Sequence, residues 1–332
     1  MIRRIISVIL FAILATQAVA QGAVPDRRQV VTLDTDFFGA DLQPLFDTTR
    51  EACRKACISD TDCKAYTFNT RSNACFPKSD VQETQAYDGA VSARILNTPV
   101  SILAQADDRR TELRFLSQGD INNARTQAEG IGTRHPGGQY EVGPMLKAAR
   151  ERIADEDYLN AMRWTGAIVA ATGAADQWAE YGRLSLLIKT DNNSEKRRYA
   201  TQAFQASVNA YLRGQNDGIR VSALMQMATA LERISRGRDM VHALRLAESI
   251  QPRDDVVSAL DAAIAKYGFR VSEHRSDMKV PAHASVPSFP NRWSRRGWIM
   301  HLTYACPMPG WSCRPKSARF ASTGCSMANG IA

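Results

Sequence analysis

Four cysteines between Cys53 and Cys75, spaced C-x3-C-x5-C-x11-C, constrain this chain more than any other stretch. Cys53 and Cys57 lie in the run from Thr49 to Ile58, which has no Gly or Pro and is rich in Ala, Arg, Glu and Lys. A spacing of four in such a run puts both thiols on one face of a short helix. Thr48 and Thr49 supply an N-cap, and Glu51 falls in the first turn, where a negative charge meets the positive end of the helix dipole. After Cys63, the segment Ala65-Tyr66-Thr67-Phe68-Asn69 sets a β-branched residue between two aromatics, and Thr70-Arg71-Ser72-Asn73 is rich in turn formers. The pattern predicts a hairpin whose second arm carries Cys75 and Phe76.

This arrangement resembles the PAN/apple module, over residues 25 to 96, including the approach Phe38-Gly39-Ala40-Asp41-Leu42 and the Ala65-Tyr66-Thr67-Phe68-Asn69 core. The resemblance implies a helix bonded across a small antiparallel sheet, with Cys53 joined to Cys75 and Cys57 to Cys63. A zinc site is the competing reading of four cysteines. Ligand knuckles, however, usually run C-x2-C, and no histidine precedes His135.

The compartment favours disulfides. Arg3 and Arg4 precede the apolar run Ile5 to Ala15, followed by Ala18-Val19-Ala20, a small-x-small cleavage site. Residues 1 to 20 read as a signal peptide and Gln21 as the mature start; a retained anchor is the alternative. An exported chain, periplasmic or extracellular, meets oxidising conditions in which such cysteines pair.

The formal charge of +8 would suggest an anionic partner such as nucleic acid. Its distribution removes that reading. Residues 279 to 332 hold seven Lys or Arg and no acid, the signal adds two Arg, and residues 21 to 278 are close to neutral, with 33 basic and 34 acidic residues. No basic stripe with interleaved aromatics marks the body of the chain, so nucleic-acid binding is not expected.

Residues 100 to 270 contain no cysteine and are rich in Ala, Leu, Arg, Gln and Glu, in amphipathic runs separated by short breaks. The breaks read as Gly130 to Gly143, Thr172-Gly173, Thr190 to Asn193, Gly214 to Gly218, Gly237 and Pro252, and one long run extends from Met145 to Ala171. Paired helices of this kind resemble tetratricopeptide-type repeats, best in register at Leu244, Ala247 and Pro252. At least four helices are expected, with Trp164 and Trp178 buried between them and the segment folding without the cysteine module. His135-Pro136-Gly137-Gly138 reads as a turn and His242 as a helix-face residue. No G-x-S-x-G, H-E-x-x-H or P-loop string occurs, and the sequence points to no catalytic residue, no cofactor and no metal.

From 279 to 332 the composition changes: Trp and Pro are scattered without periodicity, and Cys306, Cys313 and Cys325 are odd in number. The segment reads as an unstructured tail, out of frame with the body. Shifting the frame by two bases from Ser288, with free choice of degenerate bases, spells a string of strand periodicity. That string resembles the opening β-sandwich domain of bacterial alpha-2-macroglobulins, some of which carry a PAN-like module and helices ahead of it. The family resemblance implies the N-terminal, non-catalytic recognition region of a protease inhibitor, here without a bait region or a C-x-E-Q thioester motif. The alternative is a self-contained exported protein whose PAN-like module takes a protein or glycan and whose helices offer a second partner surface.

Overall fold

The computed structural model describes residues 22–268 and two short strands beyond them. The first four strands and one helix make the cysteine module: β1 Arg27–Phe38, α1 Arg50–Ser59, β2 Ala65–Asn69, β3 Ala74–Lys78 and β4 Glu83–Asn97. The strands form one antiparallel sheet in the order β1-β4-β2-β3. The long β1 and β4 stay in register except at a bulge between Leu33 and Thr35. There Asp34 takes a φ of 50°, and its carboxylate accepts a hydrogen bond from the Gly89 amide at 3.0 Å.

Period-two alternation sends Val31, Tyr66, Phe68, Val91, Ala93 and Ile95 to one face, where they pack with the four cysteines as a core of their own. Helix α1 lies against this face, with Cys53 and Cys57 as its buried residues. Thr49 caps it, accepting from the Ala52 amide at 3.2 Å. On the other face, the Thr67 and Ser92 hydroxyls satisfy each other at 2.7 Å, as buried polar groups must.

Nine helices follow among the described residues: α2 Val100–Glu112, α3 Gln118–Arg134, α4 Val142–Ala154, α5 Tyr158–Thr172, α6 Ala175–Leu187, α7 Asn193–Arg213, α8 Asp217–Arg233, α9 Gly237–Ile250 and α10 Asp254–Tyr267. From α4 onward each packs on its sequence neighbour, while α3 reaches across the chain to α5 and α7. The caps explain the boundaries. Ser117 and Asp120 form a capping box on α3, Asp157, Asn192 and Asn216 cap α5, α7 and α8 with their side chains, and Gly173 ends α5 in the left-handed conformation at φ 67°.

Three sequence expectations change. The run from Met145 to Ala171 is two helices, broken at Asp155-Glu156-Asp157, because Glu156 turns to φ 54° and Asp157 starts the next helix as its cap. Gly130 and Gly132 lie inside α3, which runs on to Arg134. Trp178 is buried, but Trp164 is only half-buried and meets the exposed Tyr140 edge-on at 5.3 Å.

Instead of a linker, the two segments share a seam. Ala23 and Val24 belong to the same apolar cluster as the helices. The Arg125 guanidinium holds the carbonyls of Gly22 and Val24 at 2.6 and 2.9 Å, and the Asp107 carboxylate accepts from the Ala23 amide at 3.3 Å. The described residues up to Tyr267 form one compact unit, and a second begins at Gly268. In that second unit β5 Trp311–Cys313 pairs antiparallel with β6 Cys325–Met327. The signal-peptide reading of residues 1–20, and the tail reading of 279–332 apart from these two strands, lie outside the described residues.

Candidate functional site

The four predicted site residues come together as two disulfides. Cys53 is bonded to Cys75 and Cys57 to Cys63, with Cα separations of 5.5 and 5.2 Å, and all four are fully buried. The first ties α1 to the sheet strand β3, and the second ties the C-terminal end of α1 to the loop entering β2. Sequence reasoning missed the third fastening. Arg27, at the start of β1, donates to the carbonyls of Cys57, Ile58 and Asp60 at 3.2, 2.8 and 2.6 Å, and also to that of Cys63. The Cys57, Ile58 and Asp60 carbonyls sit at the negative end of α1 and have no intrahelical donor, so one guanidinium serves the end of the helix and the loop that follows it. Nothing in the local sequence pairs Arg27 with residues thirty positions on.

Both edges of the sheet are occupied over much of their length. Beyond β3, the segment from Asp41 to Leu45 bridges to Lys78 and Cys75, and the buried Lys78 ammonium is paired with Asp41. Beyond β1, the amides of Gly137 and Gly138 donate to the Val31 carbonyl at 3.1 and 2.9 Å. The His135-Pro136-Gly137-Gly138 stretch is therefore a turn, as its composition predicts, and it also covers a strand edge. The large apolar side chains the module leaves in the open are Leu33 and three aromatics: Phe46 is 66% exposed, edge-on to Phe76 at 6.3 Å, and Phe38 and Tyr87 are exposed, the latter under the Arg71 guanidinium at 5.6 Å.

His135 is buried against Gly166, and its Nε2 lies 3.0 Å from the Tyr181 hydroxyl. Burial, helped by the nearby Arg134 and Arg163 charges, pushes its pKa down to about 4, so the ring is neutral at ordinary pH. Beside it opens a groove of about 870 Å³ whose polar lining is basic and amide, with Arg134, Arg152, Arg163 and Arg198 and no carboxylate. Tyr140, Trp164 and Tyr199 supply flat aromatic surface between the arginines. Such a lining can stack against a ligand and attract negative charge. No Ser, Cys or carboxylate lines the groove beside His135 to act with it as nucleophile or second base. Among the described residues no cluster of His, Cys, Asp or Glu is arranged to hold a metal, and no helix is long and apolar enough to cross a membrane.

Residues 29–101 match the PAN domain family. Over 54 residues the chain is 35% identical to the putative receptor protein kinase ZmPK1 of Zea mays, a match covering 16% of this chain and 7% of the kinase. No solved structure matches the chain. With the sheet, the helix laid on it and the two disulfides in hand, the N-terminal module is a PAN domain, followed by a helical segment.

Proposed function

We propose that the chain is an exported, non-catalytic binding protein whose PAN domain is the recognition element and whose helical segment is the rigid mount. The observation that carries this reading is the PAN match over 29–101 together with two buried disulfides, since PAN domains generally bind proteins or carbohydrates and paired cysteines belong to oxidising compartments. The exposed aromatics Phe46 and Tyr87 are the contact residues, because aromatic side chains dominate binding surfaces at small entropic cost. The alpha-2-macroglobulin reading depends on residues beyond the PAN match, and neither comparison that found a match extends to that family. A binding role for the PAN domain therefore has the better support.

The test is retention of ligands from a glycan array and of individually purified envelope and secreted proteins by the full chain, compared with Phe46→Ala and Tyr87→Ala. Retention of a ligand by the parent, weakened about tenfold in at least one variant whose melting curve is unchanged, is expected. Retention that survives both substitutions, or none by the parent, overturns the assignment of Phe46 and Tyr87 as the contact residues.

A further inference from the structure

A second cavity, of about 400 Å³, lies at the seam, lined by residues of the PAN side and of the helices. Arg213, at the end of α7, lines it and is only 6% exposed. Its guanidinium meets the backbone and side chain of Asn209 and lies over the Trp178 ring at 5.5 Å, yet makes no ion pair among the described residues. Arg28, on β1, lines the same cavity; it donates to the Ala170 carbonyl and likewise makes no ion pair among them. A buried cation without an anion is costly, and the half-buried Arg28 charge beside it adds repulsion. Burial and the neighbouring Arg28 and Arg125 charges lower the Arg213 pKa to about 9, which reflects the same missing counter-charge.

The start of α6 also lines the cavity. Its cap residue, Ala174, offers no side chain to the first-turn amides, so a 13-residue helix presents its positive end uncapped. One acid, Asp176, stands on the lining, exposed and holding the Gln177 amide at 3.1 Å; against two arginines it leaves the site net positive. Ile131, Val169 and Ile219 supply apolar wall.

We propose that this cavity binds a small organic anion, its charged group held between Arg213 and Arg28 and its apolar part lying against the isoleucine and valine wall. Carboxylates and phosphate monoesters share the required chemistry, since a guanidinium pairs with either through two parallel hydrogen bonds. The experiment is titration calorimetry and thermal unfolding of the full chain with benzoate, with phenyl phosphate and with neutral benzyl alcohol.

Saturable binding of benzoate or phenyl phosphate with a raised melting temperature, and none of benzyl alcohol, is expected. The anion that binds names the source: a carboxylate, a phosphate ester, or either if both bind. Arg213→Met abolishes the effect and Arg28→Met weakens it at least tenfold. Should Arg213→Met fail to fold, Arg28→Met alone decides. No binding of either anion by the parent, or binding unchanged in the variant that decides, overturns the proposal.

Discussion

His135 shows how one buried ring sets the acid limit of the fold. Folded, its pKa is held near 4; unfolded, it returns to its ordinary value of 6.5. Between these values the unfolded chain takes up a proton that the folded chain refuses, so stability is lost as pH falls through that window and is untouched above it. The full loss is about 3 kcal/mol, since each tenfold drop in proton affinity corresponds to roughly 1.4 kcal/mol. Urea unfolding at pH 7 and pH 4.5 checks this: His135→Gln, which keeps a polar partner for Tyr181, loses less stability on acidification than the parent. An equally steep acid limb in the variant excludes His135 as the cause. Arg27 makes a different kind of contribution, since its charge is spread over the carbonyls of Cys57 and Ile58 at the end of α1 and over that of Asp60, which it shares with the Cys63 amide. Arg27→Met removes this donor from the Cys57 and Ile58 carbonyls and costs about 2 kcal/mol, read from the urea midpoint at constant slope.

At the level of elements, the disulfides and the seam fix where α1 and α3 lie. The Cys53–Cys75 bridge closes a separation of 22 residues and Cys57–Cys63 one of 6. Loop entropy makes the first worth about 3 kcal/mol and the second about 2 kcal/mol. Replacing Cys53 and Cys75 together by Ala therefore lowers the urea midpoint more than replacing Cys57 and Cys63, with peptide mapping confirming that the remaining bridge is intact. Gly132 marks the closest approach of α3 to β1: an added Cβ would stand 2.3 Å from the Gln29 carbonyl oxygen. Gly132→Ala pushes the helix off the strand and costs about 1 to 3 kcal/mol, despite alanine's better helix propensity. Such close approaches are where the sequence is least readable. Thr49 and the hairpin carry local signals and are legible, and the disulfide pairing comes from the family resemblance. Gly130 and Gly132 read as a break because local propensity cannot see a strand packed against the helix. The two-helix break at Glu156 is hidden because the apolar period runs on through it, and Trp164 stays half-buried because its outer side meets the exposed Tyr140 rather than a second helix face.

Across the whole molecule, the shared apolar cluster at Ala23 and Val24, the docking of β1 on α3, and the Gly137 and Gly138 amides on Val31 couple the PAN domain to the helices. These contacts predict cooperative melting: the full chain melts in a single transition by both far-ultraviolet circular dichroism and tryptophan fluorescence, while a fragment of residues 100–268, expected to fold by itself, melts lower. Two separated transitions in the full chain would show the seam to be weak. Neither seam nor cavity is legible in the sequence, because the seam pairs residues about a hundred positions apart and the cavity brings Arg28 to Arg213, 185 positions on. The anchoring of Gly22, Ala23 and Val24 to α2 and α3 also decides where tension travels. A chain pulled from its N-terminal side loads these three residues and then the helices. The covalent path through the sheet, entering at Arg27 opposite Asn97 where it leaves, is short-circuited by these anchors, and the sheet takes load only through its own contacts with the helices.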